Sequence, residues 1–377
     1  MKVKHILLTR FSYRQNPDDI KKQTADVFVR HDDVLSPHLL DNRFALFETA
    51  CLPNVLAQTN QDFEWVIIID PDLPEKYLTR LKALISVRAD RTHLHVFRRD
   101  ELGGLDWLEQ HIPSDTDYVL TTNVDDDDII SIDYMERLQS HVKALGDKAP
   151  SIKFLGIKST YQWNIFSSNK YPFGTYSPWH RANIFKSTGY SMLCKLSSRR
   201  MTVYSLHHAS GDVWFAQGNE KSMDEAARAI REVPPEQDNY VNFAFVSNFQ
   251  KRIEKTLDGK GDDWKTAPHS ELMHDFSKEG AMAIHLNHFV NDQATRLFEY
   301  KQCTKPVVKN QFFPNKVNIN WVSFEEHKGL FELSSALYSK LLAEIKSHSK
   351  KLNIGWLGRQ CMSIAMTIKL RWWFLRH

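Results

Sequence analysis

The stretch YVLTTNVDDDDI, residues 118–129, decides how the chain is read. Its first five residues are apolar or β-branched and too few for a helix, which is the pattern of a buried strand. Next come four adjacent carboxylates, Asp125, Asp126, Asp127 and Asp128. Neighbouring carboxylates repel one another, so a fold tolerates such a run on a solvated face or where a cation relieves the repulsion. A solvated acidic face is the usual case. This run, however, sits between an apolar strand and the apolar pair Ile129-Ile130, which places it at a strand end. Hard divalent cations take carboxylate oxygens, and Mg²⁺ and Mn²⁺ also take phosphate oxygens. The residues therefore predict a metal–diphosphate site.

Upstream of that stretch, strand-like and helix-like segments alternate. Residues 5–9 (HILLT), 65–69 (WVIII) and 93–97 read as strands. Residues 37–49 read as a helix with Leu40, Phe44 and Phe47 on one face, which Pro53 breaks or restarts. Residues 75–88 form an amphipathic helix on Leu78, Leu81, Leu84 and Ile85, and residues 105–111 a short one. Continuous apolar strands between amphipathic helices predict an α/β fold with a mainly parallel sheet covered on both faces. Such sheets bind ligands at the carboxyl ends of their strands. Here those ends carry Arg10, Asp70, Arg98 and the carboxylate run.

Beyond residue 130 the pattern changes. A helix is expected over 132–144, and strands over 152–157, 191–196 and 202–206. Residues 159–181, rich in aromatics, Asn, Ser and Pro, read as a loop-rich region facing substrate or as an aromatic-stapled surface loop. Residues 256–270 read as a polar loop and residues 331–346 as a helix.

Composition narrows the function classes. The 377 residues are 42% hydrophobic and 25% charged, which excludes disorder and collagen-like structure. A net charge of +3 argues against a generic nucleic-acid binder. Cys51, Cys194, Cys303 and Cys361 share no close spacing, so free thiols are expected rather than a zinc site or a disulfide framework. Only residues 6–8 are apolar before Arg10 interrupts, which is no signal peptide. No run reaches the ~18 apolar residues of a spanning helix. The expected location is cytoplasmic, with contact to the inner face of the cell membrane left open.

On these residues the chain resembles a known family. The order and spacing of RFS at 10–12, RFALFE at 43–48, CLPNVLAQ at 51–58, DFEW at 62–65, YVLTTNVDDDD at 118–128 and Asp133-Tyr134 are similar to a bacterial rhamnosyltransferase family of the GT-A type. The similarity covers residues 5–140 and fades beyond. Asn123 departs from the pattern, where Arg is expected. The resemblance implies a GT-A fold, a nucleotide-sugar donor, a glycan or lipid-linked glycan acceptor, a D-x-D motif holding Mn²⁺ or Mg²⁺, and an inverting displacement. It divides the chain into a donor-binding half (1–140), an acceptor-binding half of the same domain (141–300) and a C-terminal extension (301–377).

The resemblance also implies residue roles. Asp125 and Asp127 form one D-x-D frame, Asp126 and Asp128 the other, with Asp127 and Asp128 as the innermost pair. Asp70 is placed to contact the nucleobase, and Arg10 the base or the diphosphate. Arg43 is read either as part of the site or as a buried ion pair to Glu48 or a neighbour. Many GT-A enzymes complete the metal shell with a late histidine, and His285 and His288 are the candidates here, with His207-His208 as rivals. The GYSMLCK segment at 189–195 resembles the strand before the acceptor site, and the next carboxylate, Asp212, is the candidate base for the acceptor hydroxyl or a helix cap. Glu220, Asp224 and Glu225 are weaker candidates.

No Asp or Glu follows Glu344, and Trp372, Trp373 and Phe374 lie among Lys and Arg at helical spacing. That tail reads as a basic aromatic helix lying on an anionic membrane or docked on the sheet. The combined reading is a metal-dependent sugar transferase serving bacterial surface polysaccharide synthesis. The alternatives are a metal-dependent phosphoesterase, or a non-catalytic glycan-binding protein on the same fold.

Overall fold

The computed structural model describes residues 1–14, 33–96, 105–157, 159–165, 167, 170–180, 187–198, 200–204, 273–288, 305–309 and 315–332. The first strand, β1, spans Val3–Phe11. It is followed by helix α1 (Pro37–Leu46), a π-helical turn (Phe47–Cys51) and helix α2 (Leu52–Leu56). Then come β2 (Glu64–Ile69), α3 (Glu75–Ile85), β3 (Thr92–Val96), a 3-10 turn (Asp106–His111) and β4 (Tyr118–Asn123). The short β5 (Ile129–Ile130) leads into α4 (Tyr134–Leu145) and β6 (Ile152–Gly156). Strands β7 (Ser159–Asn164), β8 (Thr175–His180) and β9 (Ser191–Lys195) follow. Later in the chain lie β10 (Met273–Asp275), β11 (Ala283–Asn287), β12 (Lys305–Pro306) and helix α5 (Trp321–Glu326).

Seven strands form one sheet in the order β10-β6-β9-β4-β1-β2-β3. Strand β1 is parallel to both β2 and β4, and β2 is parallel to β3, as the alternating sequence pattern predicts. Strand β9 runs antiparallel to β4 and β6, which makes the sheet mixed. One face is covered by α1, α2, α3 and α4, where Leu7, Phe44, Phe47, Trp65, Ile67, Tyr77, Leu81 and Leu138 pack in one cluster. The opposite face buries Ile6, Leu8, Val66, Ile68, Leu108 and Val119. Each such aliphatic side chain contributes about 1.5–3 kcal/mol when removed from water. Two-sided burial is why these strands read as continuous apolar runs. The architecture is an α/β fold of GT-A-like layout.

A second sheet, β12-β8-β7-β11-β5, lies beside the carboxyl edge of the first. It corrects one sequence expectation. Residues 159–181 are largely a hairpin, with β7 and β8 antiparallel from Ser159↔His180 to Asn164↔Thr175. Trp163, one of the aromatics that suggested a loop, is buried in the second core with Ile284, Leu286 and Phe324. Its ring N–H is satisfied by the Phe173 carbonyl at 2.9 Å. The expected strand at 202–206 is a further correction: residues 201–204 form coil and a turn, and 205–206 lie outside the described residues. Of the helix expected over 331–346, Phe331 and Glu332 are described and are not helical; Glu332 instead bridges to Ser167.

Pro53 neither breaks the helix nor ends it. The π turn carries the chain through, and the carbonyl of Thr49, four residues before the proline and without its usual donor, accepts from Asn320 N–H at 3.0 Å. Helix α5 is thereby tied to the helical layer. No helix among the described residues is long and apolar enough to cross a membrane.

Candidate functional site

The carboxylate run leaves β4 at the carboxyl edge of the sheet. Val124 N–H bonds Leu8 O at 3.0 Å, and Asn123 N–H bonds Tyr190 O at 2.7 Å, so β1 and the segment before β9 hold its entry. A turn closed by Asp128 N–H to Asp125 O (3.1 Å) folds it back into β5. Strand β5 then pairs antiparallel with β11, Ile129 opposite Ile284 and Ile130 opposite Ala283. That pairing brings the late histidines to the run.

Each carboxylate has a separate set of partners. Asp125 is half-buried and lies 3.3 Å from Arg10 Nη2. Asp126 Oδ1 is 2.9 Å from Arg43 Nη1, and Asp126 Oδ2 accepts from Ser12 N–H at 3.3 Å. Asp127 Oδ2 is 2.6 Å from the same Arg43 nitrogen and 2.7 Å from His288 Nε2. Asp128, only 1% exposed, accepts from the Thr188 hydroxyl and lies 3.0 Å from His285 Nδ1. Asp126, Asp127 and Asp128 are all buried, whereas Asp125 is partly exposed.

Burial penalises charge in all three. It raises the Asp126 carboxyl against the pull of Arg43, and it raises Asp128 against the pull of His285. At Asp127 burial acts the same way, but Arg43 and the His288 hydrogen bond outweigh it, and the carboxyl is held below its usual range. Burial also holds His288 below the ordinary histidine range, although Asp127 pulls it up. Charge is therefore concentrated on Asp127.

Of its two readings, Arg43 takes the one that joins it to the carboxylate run. It does not pair with Glu48, which instead meets Arg80 at 2.6 Å. From α1 it reaches across to Asp126 and Asp127. The backbone at Ser12 contributes too. Its φ of +45° is unusual for a non-glycine residue. That residue turns its N–H to Asp126, and its hydroxyl is buried without a hydrogen-bond partner among the described residues. Strain of this kind gathers at functional sites.

Arg10 lies at the carboxyl end of β1, its guanidinium 5.6 Å from the centre of the Tyr204 ring. Tyr204 donates to Asn123 Oδ1 at 2.7 Å, and Asn123 Nδ2 donates to Ser187 O at 3.1 Å. Asn123, which departs from the family pattern, is thus a structural link between β4 and the segments before and after β9. Asp70 follows β2 and is buried. Its oxygens accept from Arg14 N–H at 3.1 Å and Asp72 N–H at 2.9 Å, and the Arg14 guanidinium also meets Asp72 and Asp33.

Asp125, Asp127, Asp128, His285 and His288 therefore come together with Arg10, while Asp70 sits at the end of the adjacent strand. Asp212, His207, His208, Glu220, Asp224, Glu225 and Arg98 lie outside the described residues, as do residues 256–270 and the tail. Thr188, Tyr204 and Ser12 were not singled out as site residues in the sequence; only Ser12 had a signal there, as part of RFS. Asp127, Asp128, His285 and His288 offer two carboxylates and two imidazoles, a donor set that fits Mn²⁺ or Mg²⁺, with Mn²⁺ the better match for nitrogen. His288 Nδ1 is buried with no hydrogen-bond partner among the described residues.

The sheet and this carboxylate-lined edge define a GT-A-like α/β protein. The chain belongs to the family described as "Putative rhamnosyl transferase", which matches residues 4–212. Among solved structures, it is similar to S. aureus TarS 1-349 in complex with UDP, at 17% identity and TM-score 0.21 over 42% of this chain and 36% of that one. The same protein with UDP-GlcNAc gives 17%, 0.20, 42% and 35%. A "putative nucleotide-diphospho-sugar transferase" from Desulfovibrio desulfuricans G20 is similar at 10% identity and TM-score 0.31, over 89% of this chain and 100% of that one. The match spans about a third of the length of these TarS structures. No curated protein matches the sequence significantly.

Proposed function

We propose that this protein is a metal-dependent glycosyltransferase that moves a sugar, rhamnose being the family's suggestion, from a nucleotide-sugar donor to a glycan or lipid-linked glycan acceptor in surface polysaccharide synthesis. The observation that supports this most is the meeting of Asp127 and Asp128 with two imidazoles, one on β11 and one just after it, at the carboxyl edge of the sheet. Asp127, Asp128, His285 and His288 would hold the ion. When bound, Mn²⁺ or Mg²⁺ supplies neutralisation of the diphosphate charge.

The residues of the chain carry the rest. Arg10 and Asp125 would meet the donor diphosphate and ribose, and Asp70 the base. The acceptor hydroxyl attacks the anomeric carbon in line. The bond from that carbon to the diphosphate oxygen breaks, the nucleoside diphosphate departs, and the hydroxyl proton passes to Asp212. One displacement inverts the anomeric centre. Residues 1–140 form the donor half and 141–300 the acceptor half. The extension 301–377 ends in a basic aromatic tail that docks on an anionic membrane at the cytoplasmic face.

The test is a screen of UDP- and dTDP-sugars for turnover with Mn²⁺, Mg²⁺ or a chelator, repeated with Asp212→Asn. Turnover that needs an ion, and that falls by about 10²–10⁴ in Asp212→Asn while donor binding persists, supports the reading. Cleavage of simple phosphoesters without use of any nucleotide sugar overturns it.

A further inference from the structure

A second cluster of ligating side chains lies away from the carboxylate run. His141, His274 and Glu279 each present one ligand atom, and the three atoms lie within 4.8 Å of one another. They come from different elements. His141 is on α4, one and two turns along the same face as Leu138 and Tyr134, and that face packs on the sheet. His274 is the middle residue of the edge strand β10, opposite Leu155 of β6. Glu279 ends the 3-10 turn Phe276–Glu279 that follows β10.

The supports of the cluster are already in place. The two imidazoles lie with centroids 3.8 Å apart, and Phe276 meets both at its ring edge, 5.6 Å from His141 and 4.5 Å from His274. His274 Nε2 contacts Glu279 Oε1. The Glu279 carbonyl is held by Arg137 Nη1 at 2.9 Å, and Asp275 accepts from Ser277 N–H at 3.0 Å to shape the turn. His141 Nε2 is shielded from solvent and has no hydrogen-bond partner among the described residues. Burial, followed by the neighbouring His274, pushes His141 down to about 4, so its ring is neutral at physiological pH and offers a lone pair.

We propose that His141, His274 and Glu279 bind a Zn²⁺ ion that clips the edge strand β10 to α4. A tetrahedral zinc with bonds of about 2.0–2.1 Å holds its ligand atoms about 3.4 Å apart, so binding would draw together atoms that now lie within 4.8 Å of one another and swing the two imidazoles apart. Two imidazole nitrogens and one carboxylate oxygen are a zinc donor set, softer than the carboxylate run, and the exposed side of Glu279 leaves room for a water as fourth ligand. The clip has a consequence for the main site. Strand β11 begins four residues after Glu279 and carries His285, so fixing residues 274–279 fixes where that histidine emerges.

The experiment uses the untagged full-length chain carrying Asp127→Asn and Asp128→Asn, which silences the carboxylate run, after removal of metal with a chelator. ZnCl₂ alone is titrated by calorimetry, and Co²⁺ is added in parallel as a spectroscopic probe. The expected result is one equivalent of Zn²⁺ bound, a raised melting temperature, and the visible absorption of low-coordinate Co²⁺. Glu279→Gln should weaken binding tenfold or more, and His274→Ala should remove it together with the Co²⁺ bands. Glu279 is exposed, so its variant keeps the comparison sound if a change at the packed His141 or His274 disturbs folding. Absence of Zn²⁺ binding, or binding unchanged in Glu279→Gln, overturns the proposal and leaves His274 and Glu279 as a plain hydrogen-bonded pair.

Discussion

His288 Nε2 lies 2.7 Å from Asp127 Oδ2, joining positions 161 residues apart in the chain. Both groups are buried, and Asp127 is the one carboxyl of the buried three whose pKa is held down rather than raised. Asp127→Asn should therefore weaken Mn²⁺-dependent binding of a nucleoside diphosphate by tenfold or more. The remaining affinity should no longer respond to chelator. Calorimetry with and without chelator checks this, and equal wild-type and variant affinities would remove Asp127 from the site.

Arg43 bridges Asp126 and Asp127. Replacing it with Met leaves two buried carboxylates without their cation, a change that typically costs about 3–5 kcal/mol. Protonation can relieve that cost, so the loss should be larger at pH 8 than at pH 5. Denaturant unfolding of Arg43→Met at both pH values measures it. Identical losses at the two pH values would mean that the guanidinium acts through packing alone.

His5 is a pH-sensitive group of the core. Gln139 Nε2–H donates to His5 Nδ1 at 3.0 Å, and His5 Nε2–H donates to Thr122 Oγ1 at 2.9 Å. Thr122 Oγ1 lies 2.8 Å from Ser191 Oγ, which donates to Gly189 O at 3.0 Å. The chain is satisfied by a neutral imidazole, and burial pushes the group down to about 3. The unfolded chain binds this proton near 6.5, so the contribution is complete above that pH and is lost as pH falls toward 3. The loss should be on the order of a few kcal/mol. Melting of wild type and His5→Gln from pH 4 to 7 tests it; the variant should show a flatter acid limb.

Gly189 has φ of +78°, and a Cβ there would sit 2.9 Å from Tyr134 Cε1. Its carbonyl accepts from the Tyr134 hydroxyl at 2.5 Å. Gly189→Ala should destabilise by about 1–2 kcal/mol from the backbone alone, and by more from the clash with a buried ring. Tyr134→Phe should cost about 1 kcal/mol. Thr188, the preceding residue, holds Asp128, so Gly189→Ala should also lower metal affinity, whereas Tyr134→Phe should change it less. Comparing melting temperatures and Mn²⁺ titrations of the two variants separates these effects.

Much of the fold was legible because its strands are buried on both faces. WVIII and YVLTT announce themselves as apolar runs, and each appears as β2 and β4 within a residue of its expected bounds. The hairpin β7–β8 was not legible. Its strands mix aromatics with Asn, Gln and Ser, and Pro178 sits within β8, so neither a period of two nor an apolar run stands out. Its core face is completed by Val307, Phe324 and Phe331, far along the chain, and no local pattern carries that information.

At the site, the sequence by itself determined the carboxylate run and its position at a strand end, because charge and apolar periodicity are local properties. It also marked His285 and His288 as a pair worth testing. Only the tertiary structure decided which carboxylate meets which cation. Arg43 shares a chain segment with Glu48, yet it reaches Asp126 and Asp127, while Glu48 is taken by Arg80. Those choices depend on how α1 is rotated over β1 and on the antiparallel pairing of β5 with β11, which are long-range packing outcomes. Adjacent carboxylates can be buried side by side only where packing delivers their partners, and residue spacing along the chain does not encode that delivery.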